Sequence, residues 1–164
     1  MANFILYEEE FREIQACLSR LHEDAKAKLV FLIDKNGQLI ASAGETGKLD
    51  TTSLASLAAG NIAATGGLAQ LLGEKEFSIL FHEGERDNLH ISLIAQRVIL
   101  VVIFDYRSSL GLVRLRVKKV SEDLAQILET VGRKAEAEAG AARAAFQTHF
   151  SEITDDDIEN LFKG

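Results

Sequence analysis

The chain contains no proline and a single cysteine in 164 residues. Without proline, no position is denied a helical N–H, so helices are expected to run uninterrupted. One thiol, Cys17, cannot close an internal disulfide, and it fits a reducing compartment. Within a helix Cys17 reads as a small buried apolar residue rather than a nucleophile. Catalytic signatures are also missing. The four histidines, His22, His82, His90 and His149, show no metal-ligand spacing, although His82 and His90 flank a turn and are expected to approach each other as a surface pair. Gly66-Gly67 lies in no phosphate-loop pattern, and Gly44-Glu45-Thr46-Gly47-Lys48 has the wrong spacing for one. These gaps leave catalytic, cofactor-binding and metal-binding residues unassigned. No charged-then-apolar leader opens the sequence and no segment is apolar enough for a convincing span, so a soluble cytoplasmic protein is expected.

The most informative absence is local. From Thr51 to Gly73 the sequence reads TTSLASLAAGNIAATGGLAQLLG, without one charged side chain. Asp50 is a good N-cap, and the stretch reads as one helix. Leu54, Leu57, Ile62, Leu68 and Leu72 are expected to form its inward stripe. Ser56, Ala59, Gly60, Ala63, Gly67 and Gln70 then form an opposite face that is small, smooth and uncharged. An ordinary surface helix turns charges to water. Three explanations are open: enclosure within the chain's own domain, a membrane span, or contact with another chain. The threonines, serines, Asn61 and Gln70 make a poor span, and contact with another chain is the preferred reading.

What is present defines the rest. Tyr7, Phe11, Ile14, Leu18 and Leu21 recur at helical steps, with Glu8, Glu9 and Glu10 in the first turn, where the helix dipole favours acids. Lys28–Asp34 (KLVFLID) and Gln38–Ala43 read as strands joined by Asn36-Gly37, a positive-φ pair suited to a tight hairpin. After the uncharged helix, Phe77, Ile79 and Phe81 alternate, as do Leu89, Ile91 and Leu93. Val98–Phe104 (VILVVIF) is continuously apolar, as expected of a central strand covered on both faces. Ser108 is positioned to cap a last helix with the inward stripe Leu110, Val113, Val117, Val120, Leu124, Ile127 and Val131. The predicted order is αββαβββα: an α/β sandwich with a five-stranded antiparallel sheet. The domain is expected over 1–132, a linker or helical extension over 133–150, and an acidic amphipathic C-terminal motif over 151–164.

Net charge is −7, and residues 151–164 hold five acids and one lysine, or −4 of it. Nothing here suggests nucleic-acid binding. Thr154 is placed to cap a short helix with Asp155, Asp156 and Asp157 in its first turn. Ile158, Leu161 and Phe162 would share one face, suited to a partner's groove; a merely solubilising tail is the alternative. Arg114, Arg116, Lys118 and Lys119 form a basic cluster on the last helix that is either a solvated face or a dock for an acidic protein partner. Arg86 and Arg107 are the two arginines to test as fingers for a neighbour's phosphate.

Six segments in this order carry a family resemblance: YEEEF at Tyr7–Phe11, VFLIDKNGQLIASAG at Val30–Gly44, DTTSLASLAAGNIAA at Asp50–Ala64, VVIFD at Val101–Asp105, SSLGLVRLRVKK at Ser108–Lys119, and ITDDDIENLF at Ile153–Phe162. Together they resemble the Roadblock family of small dimeric GTPase regulators and dynein light chains. The resemblance implies a homodimer whose sheets join third strand to third strand, with the two middle helices side by side on one face. It implies that this helix pair receives one small Ras-like GTPase and accelerates its hydrolysis without supplying an arginine finger, and that the C-terminal segment favours nucleotide exchange. It assigns Ser56, Ala59, Gly60, Ala63, Gly67 and Gln70 to the GTPase face and Ile158, Leu161 and Phe162 to the tail motif. It also implies a place at one cell pole. A non-activating dimeric scaffold of the dynein light-chain type is the alternative.

Overall fold

The computed structural model describes residues 6–151 and 160–162. Helix α1 (Glu8–Asp24) is followed by strands β1 (Leu29–Asp34) and β2 (Leu39–Gly44), helix α2 (Thr51–Leu72), strands β3 (Ile79–Glu83), β4 (Asn88–Ile94) and β5 (Val98–Phe104), and helix α3 (Leu110–Ser151). The expected αββαβββα order and five-stranded antiparallel sheet are both present, with spatial order β2-β1-β5-β4-β3. The chain divides into two compact units, Met1–Leu128 and Glu129–Gly164. The second holds the later part of α3, including 133–150, together with the helical residues 160–162.

β5 is the central strand, and every one of its residues is buried. Alternation assigns its two sets to two cores. Val98, Leu100, Val102 and Phe104 pack with Val30 and Leu32 beneath α1 and α3, where Ile14, Leu18, Leu21, Val113, Val117 and Leu124 close that layer. Ile99, Val101 and Ile103 face the other way, with Leu29, Phe31, Ile33 and Ile91, toward α2. A strand apolar on both faces is what a sheet with helices on both sides requires.

Local chemistry refines three expectations. In the β1–β2 turn only Gly37 has positive φ (+88°), and Asn36 does not. Asp34 Oδ1 instead accepts from the amides of Asn36 and Gln38 (2.9 and 3.0 Å), so a side-chain carboxylate organises a longer turn that Gly37 closes. A Cβ on Gly37 would also stand 3.0 Å from the Ser56 Cα, so the same glycine lets α2 approach. At the start of α3 the cap is Ser109, whose Oγ accepts from the Leu112 amide at 3.2 Å. Ser108 is committed elsewhere, donating to the Ala25 carbonyl at 2.5 Å. Finally, β3 pairs Phe81 with His90 and His82 with Leu89. One residue of offset sends the two histidines to opposite faces of the sheet, so they do not form the expected pair.

Candidate partner-binding face

Helix α2 begins as expected. The Asp50 carboxylate accepts from the Ser53 amide at 3.1 Å and from its hydroxyl at 2.6 Å. These bonds hold the Asp50 carboxyl below its ordinary range, the hydroxyl contributing most. An anionic side chain therefore occupies the helix N-terminus, where the helix dipole favours negative charge. The helix ends at Gly73 (φ +76°), whose amide donates to the Gln70 carbonyl.

The burial of α2 corrects the expected stripe. Ala55, Ala58, Ala59, Thr65 and Ala69 are the buried positions, with Leu54 and Ile62 packed beside them. Their steps of three and four define one helical face made mostly of alanine. The leucines at 57, 68, 71 and 72 point away and are 72%, 57%, 85% and 70% exposed. Alanine lets the helix backbone settle close to the sheet, so the large side chains are not needed to fill the gap. Among the expected site residues, Ser56, Gly60, Ala63, Gly67 and Gln70 are exposed. Ala59 is buried and belongs to the seat rather than to the open face.

At 3.6 residues per turn the open face resolves into two flanks. Gln70, Ala63, Ser56, Gly67 and Gly60 make a smooth one. Leu71, Leu57, Leu68 and Leu72 follow around the helix and make an apolar one. The apolar flank borders a groove of about 300 Å³ whose walls include Leu57, Asn61, His82 and Leu89, so it looks toward β4 and the end strand β3. Asn61 and His82 are tied across it at 3.0 Å. Residue type alone sends leucine inward and so hides this flank. The signal that finds it is the small-residue spacing 55, 58, 59, 65, 69, which marks the buried side.

Other candidates resolve plainly. Cys17 is buried, and burial pushes its thiol up despite the opposing Arg20 guanidinium 3.5 Å away, which disfavours the reactive thiolate. Arg107 is held by Asp105 through its Nε and Nη2, at 3.1 and 3.0 Å. Arg86 lies exposed in the β3–β4 turn. The four cations of α3 do not form one patch. Arg116 and Lys119 border α1 beside Asp24 and Asp123, whereas Arg114 and Lys118 face β4. Leu161 and Phe162 are exposed at 80% and 87%, and Ile158 lies outside the described residues. Among the described residues no cluster of three or more histidine, cysteine or acidic side chains could hold a metal, and no helix is long and apolar enough to cross a membrane.

A sheet seated between two helices on one side and an uncharged third helix on the other defines a class. The Roadblock/LC7 domain family model matches residues 13–104, and the chain belongs to that family. Within it, the chain is similar to Myxococcus xanthus MglB at 61% identity, covering 77% of this chain and 96% of that one with a TM-score of 0.74. The gliding protein MglB of Thermus thermophilus is 34% identical, with 79% and 98% of the chains covered and a TM-score of 0.74. An MglB described as having a tetrameric arrangement is 32% identical over 80% and 98%, with a TM-score of 0.75. Among curated proteins, nothing matches.

Proposed function

We propose that this chain is a homodimeric regulator of a small Ras-like GTPase of the MglA type, and that it accelerates hydrolysis by arranging the GTPase's own switch regions. The observation that carries the proposal is the divided open face of α2. Each exposed leucine would yield about 1.5–3 kcal/mol to a neighbour that buried it, and a contiguous apolar flank of this kind marks an interaction site. The leucine flank looks toward the free edge at β3, the side from which a second copy would bring its own α2. The smooth flank, Ser56, Gly60, Ala63, Gly67 and Gln70, then stays open. Its lack of bulk and charge suits close approach of a GTPase switch segment, and Ala59 supports that flank from beneath.

The proposed mechanism needs no chemistry from this chain. A partner that samples several switch conformations is shifted toward whichever one the regulator binds best. A bias of about 3 kcal/mol toward the arrangement that aligns water and stabilising groups is worth roughly a hundredfold in rate. Arg107 is paired with Asp105 of its own chain, which argues against that side chain as an arginine finger. Ile158, Leu161 and Phe162 form the proposed tail motif that engages the same GTPase and promotes exchange, and placement at one cell pole is part of the same reading. Co-purification with an MglA-type GTPase tests the core of the proposal. The GTP-analogue form should be retained and the GDP form lost, and Gly67→Arg or Ala63→Arg should abolish retention. Equal capture of both nucleotide forms, or normal capture by the arginine variants, would contradict it.

A further inference from the structure

The opposite face of the sheet carries a second feature that the GTPase reading does not use. A groove of about 560 Å³ lies between α3 and the β3–β4 half of the sheet. Ile79, Ile94, Val117 and Ala125 give it apolar walls. Two polar side chains project from β4 into this lining, His90 and Ser92, only 1% and 4% exposed. Among the described residues, neither ring nitrogen of His90 nor the Ser92 hydroxyl has a hydrogen-bond partner. Buried polar groups are almost always paired, so two orphans on one stretch of strand point to a ligand. Arg114 and Lys118, one turn apart on α3, stand over the same groove, with Glu122 a further turn along. None of the three is held in an ion pair among the described residues.

We propose that this groove binds a small amphiphile with a carboxylate head, placed between Arg114 and Lys118 and hydrogen-bonded to His90 and Ser92, with its apolar body along Ile79, Val117 and Ala125. Two cations and one acid leave a single positive charge at the rim, which matches a monoanion; a phosphate monoester would bring nearly two negative charges up to Glu122. Burial first, and the Arg114 charge second, lower the pKa of His90, so its ring is neutral at neutral pH. A neutral imidazole offers one N–H donor to a carboxylate oxygen, and the Ser92 hydroxyl offers another. The volume is that of a small-molecule site, with few polar groups among apolar walls. A docked helix or strand would meet the rim and leave His90 and Ser92 still unpaired beneath it.

Decanoate is a suitable anionic probe and decylamine its charge-reversed control, each titrated into the full-length protein while backbone and His90 ring resonances are followed by NMR. Decanoate is expected to shift the His90 and Ser92 signals saturably, and decylamine to leave them in place. Lys118→Glu changes an exposed side chain and should weaken decanoate about tenfold, the equivalent of ~1.4 kcal/mol. Unmoved signals, an equal response to decylamine, or unchanged affinity in Lys118→Glu would each overturn the proposal. Because the groove and α2 lie on opposite faces of the sheet, none of these outcomes bears on GTPase capture.

Discussion

His90 shows how one side chain can set a pH dependence. In the unfolded chain it titrates near ~6.5, and in the fold its pKa is lowered by burial and by Arg114. Between these two values the unfolded state binds more protons than the folded one. Stability therefore rises with pH across that window and is lost on acidification below ~6.5, by up to about 1.4 kcal/mol per pH unit for this single group. Denaturant midpoints measured across this range should show that slope, and His90→Leu should flatten it. An unchanged slope in the variant would mean that His90 does not titrate differently in the two states. Ser92 and Cys17 share the same core-facing logic, but only the histidine carries a proton that folding displaces near neutral pH.

At the scale of elements, short connections were the harder part to read. The β4–β5 hairpin turns through Ala95 and Gln96 at φ +52° and +57°, with the Arg97 amide donating to the Ile94 carbonyl at 3.0 Å. Two consecutive left-handed residues make the turn type that favours Asn-Gly, and each L side chain held there costs ~1 kcal/mol or more. Nothing in Ala-Gln announces this geometry; the flanking strands impose it. Replacing the pair, Ala95→Asn with Gln96→Gly, should stabilise the fold by about 1 kcal/mol and raise Tm by roughly 2–4 °C. A calorimetric Tm that fell would show that the existing side chains pack usefully. The same contrast runs through the larger elements. The sheet and its covering helices were legible because Val98–Phe104 is apolar at every position and because Ile14, Leu18, Leu21 and Val113, Val117, Leu124 recur at helical steps. The rotation of α2 was not legible. An alanine stripe carries little hydrophobic contrast, while Leu57, Leu68 and Leu72 look like core residues until the sheet is seen to accept mostly small side chains. That rotation also supplies a prediction about assembly. Leu68→Asp places a charge on the leucine flank and should shift a dimer toward monomer in sedimentation experiments, with circular dichroism unchanged. A dimer unaffected by Leu68→Asp would remove the leucine flank from the interface.

For the whole molecule, the division of labour is spatial. The α1–α3 side supplies the larger core, including Phe104 and the buried stripe of α3 from Val113 to Leu128, and so supports the sheet as a rigid base. The α2 side, held by alanines, presents the surface on which partners are proposed to meet. The smooth flank is the part that separates a GTPase regulator from a scaffold that only dimerises. Single-turnover GTP hydrolysis by an MglA-type GTPase, measured alone, with this protein and with its Gly67→Arg variant, tests that claim directly. The unmodified dimer is expected to accelerate hydrolysis about a hundredfold, and a Gly67→Arg protein that is still folded and dimeric is expected not to accelerate it. Undiminished acceleration by that variant, or no acceleration by the unmodified protein, would contradict that claim.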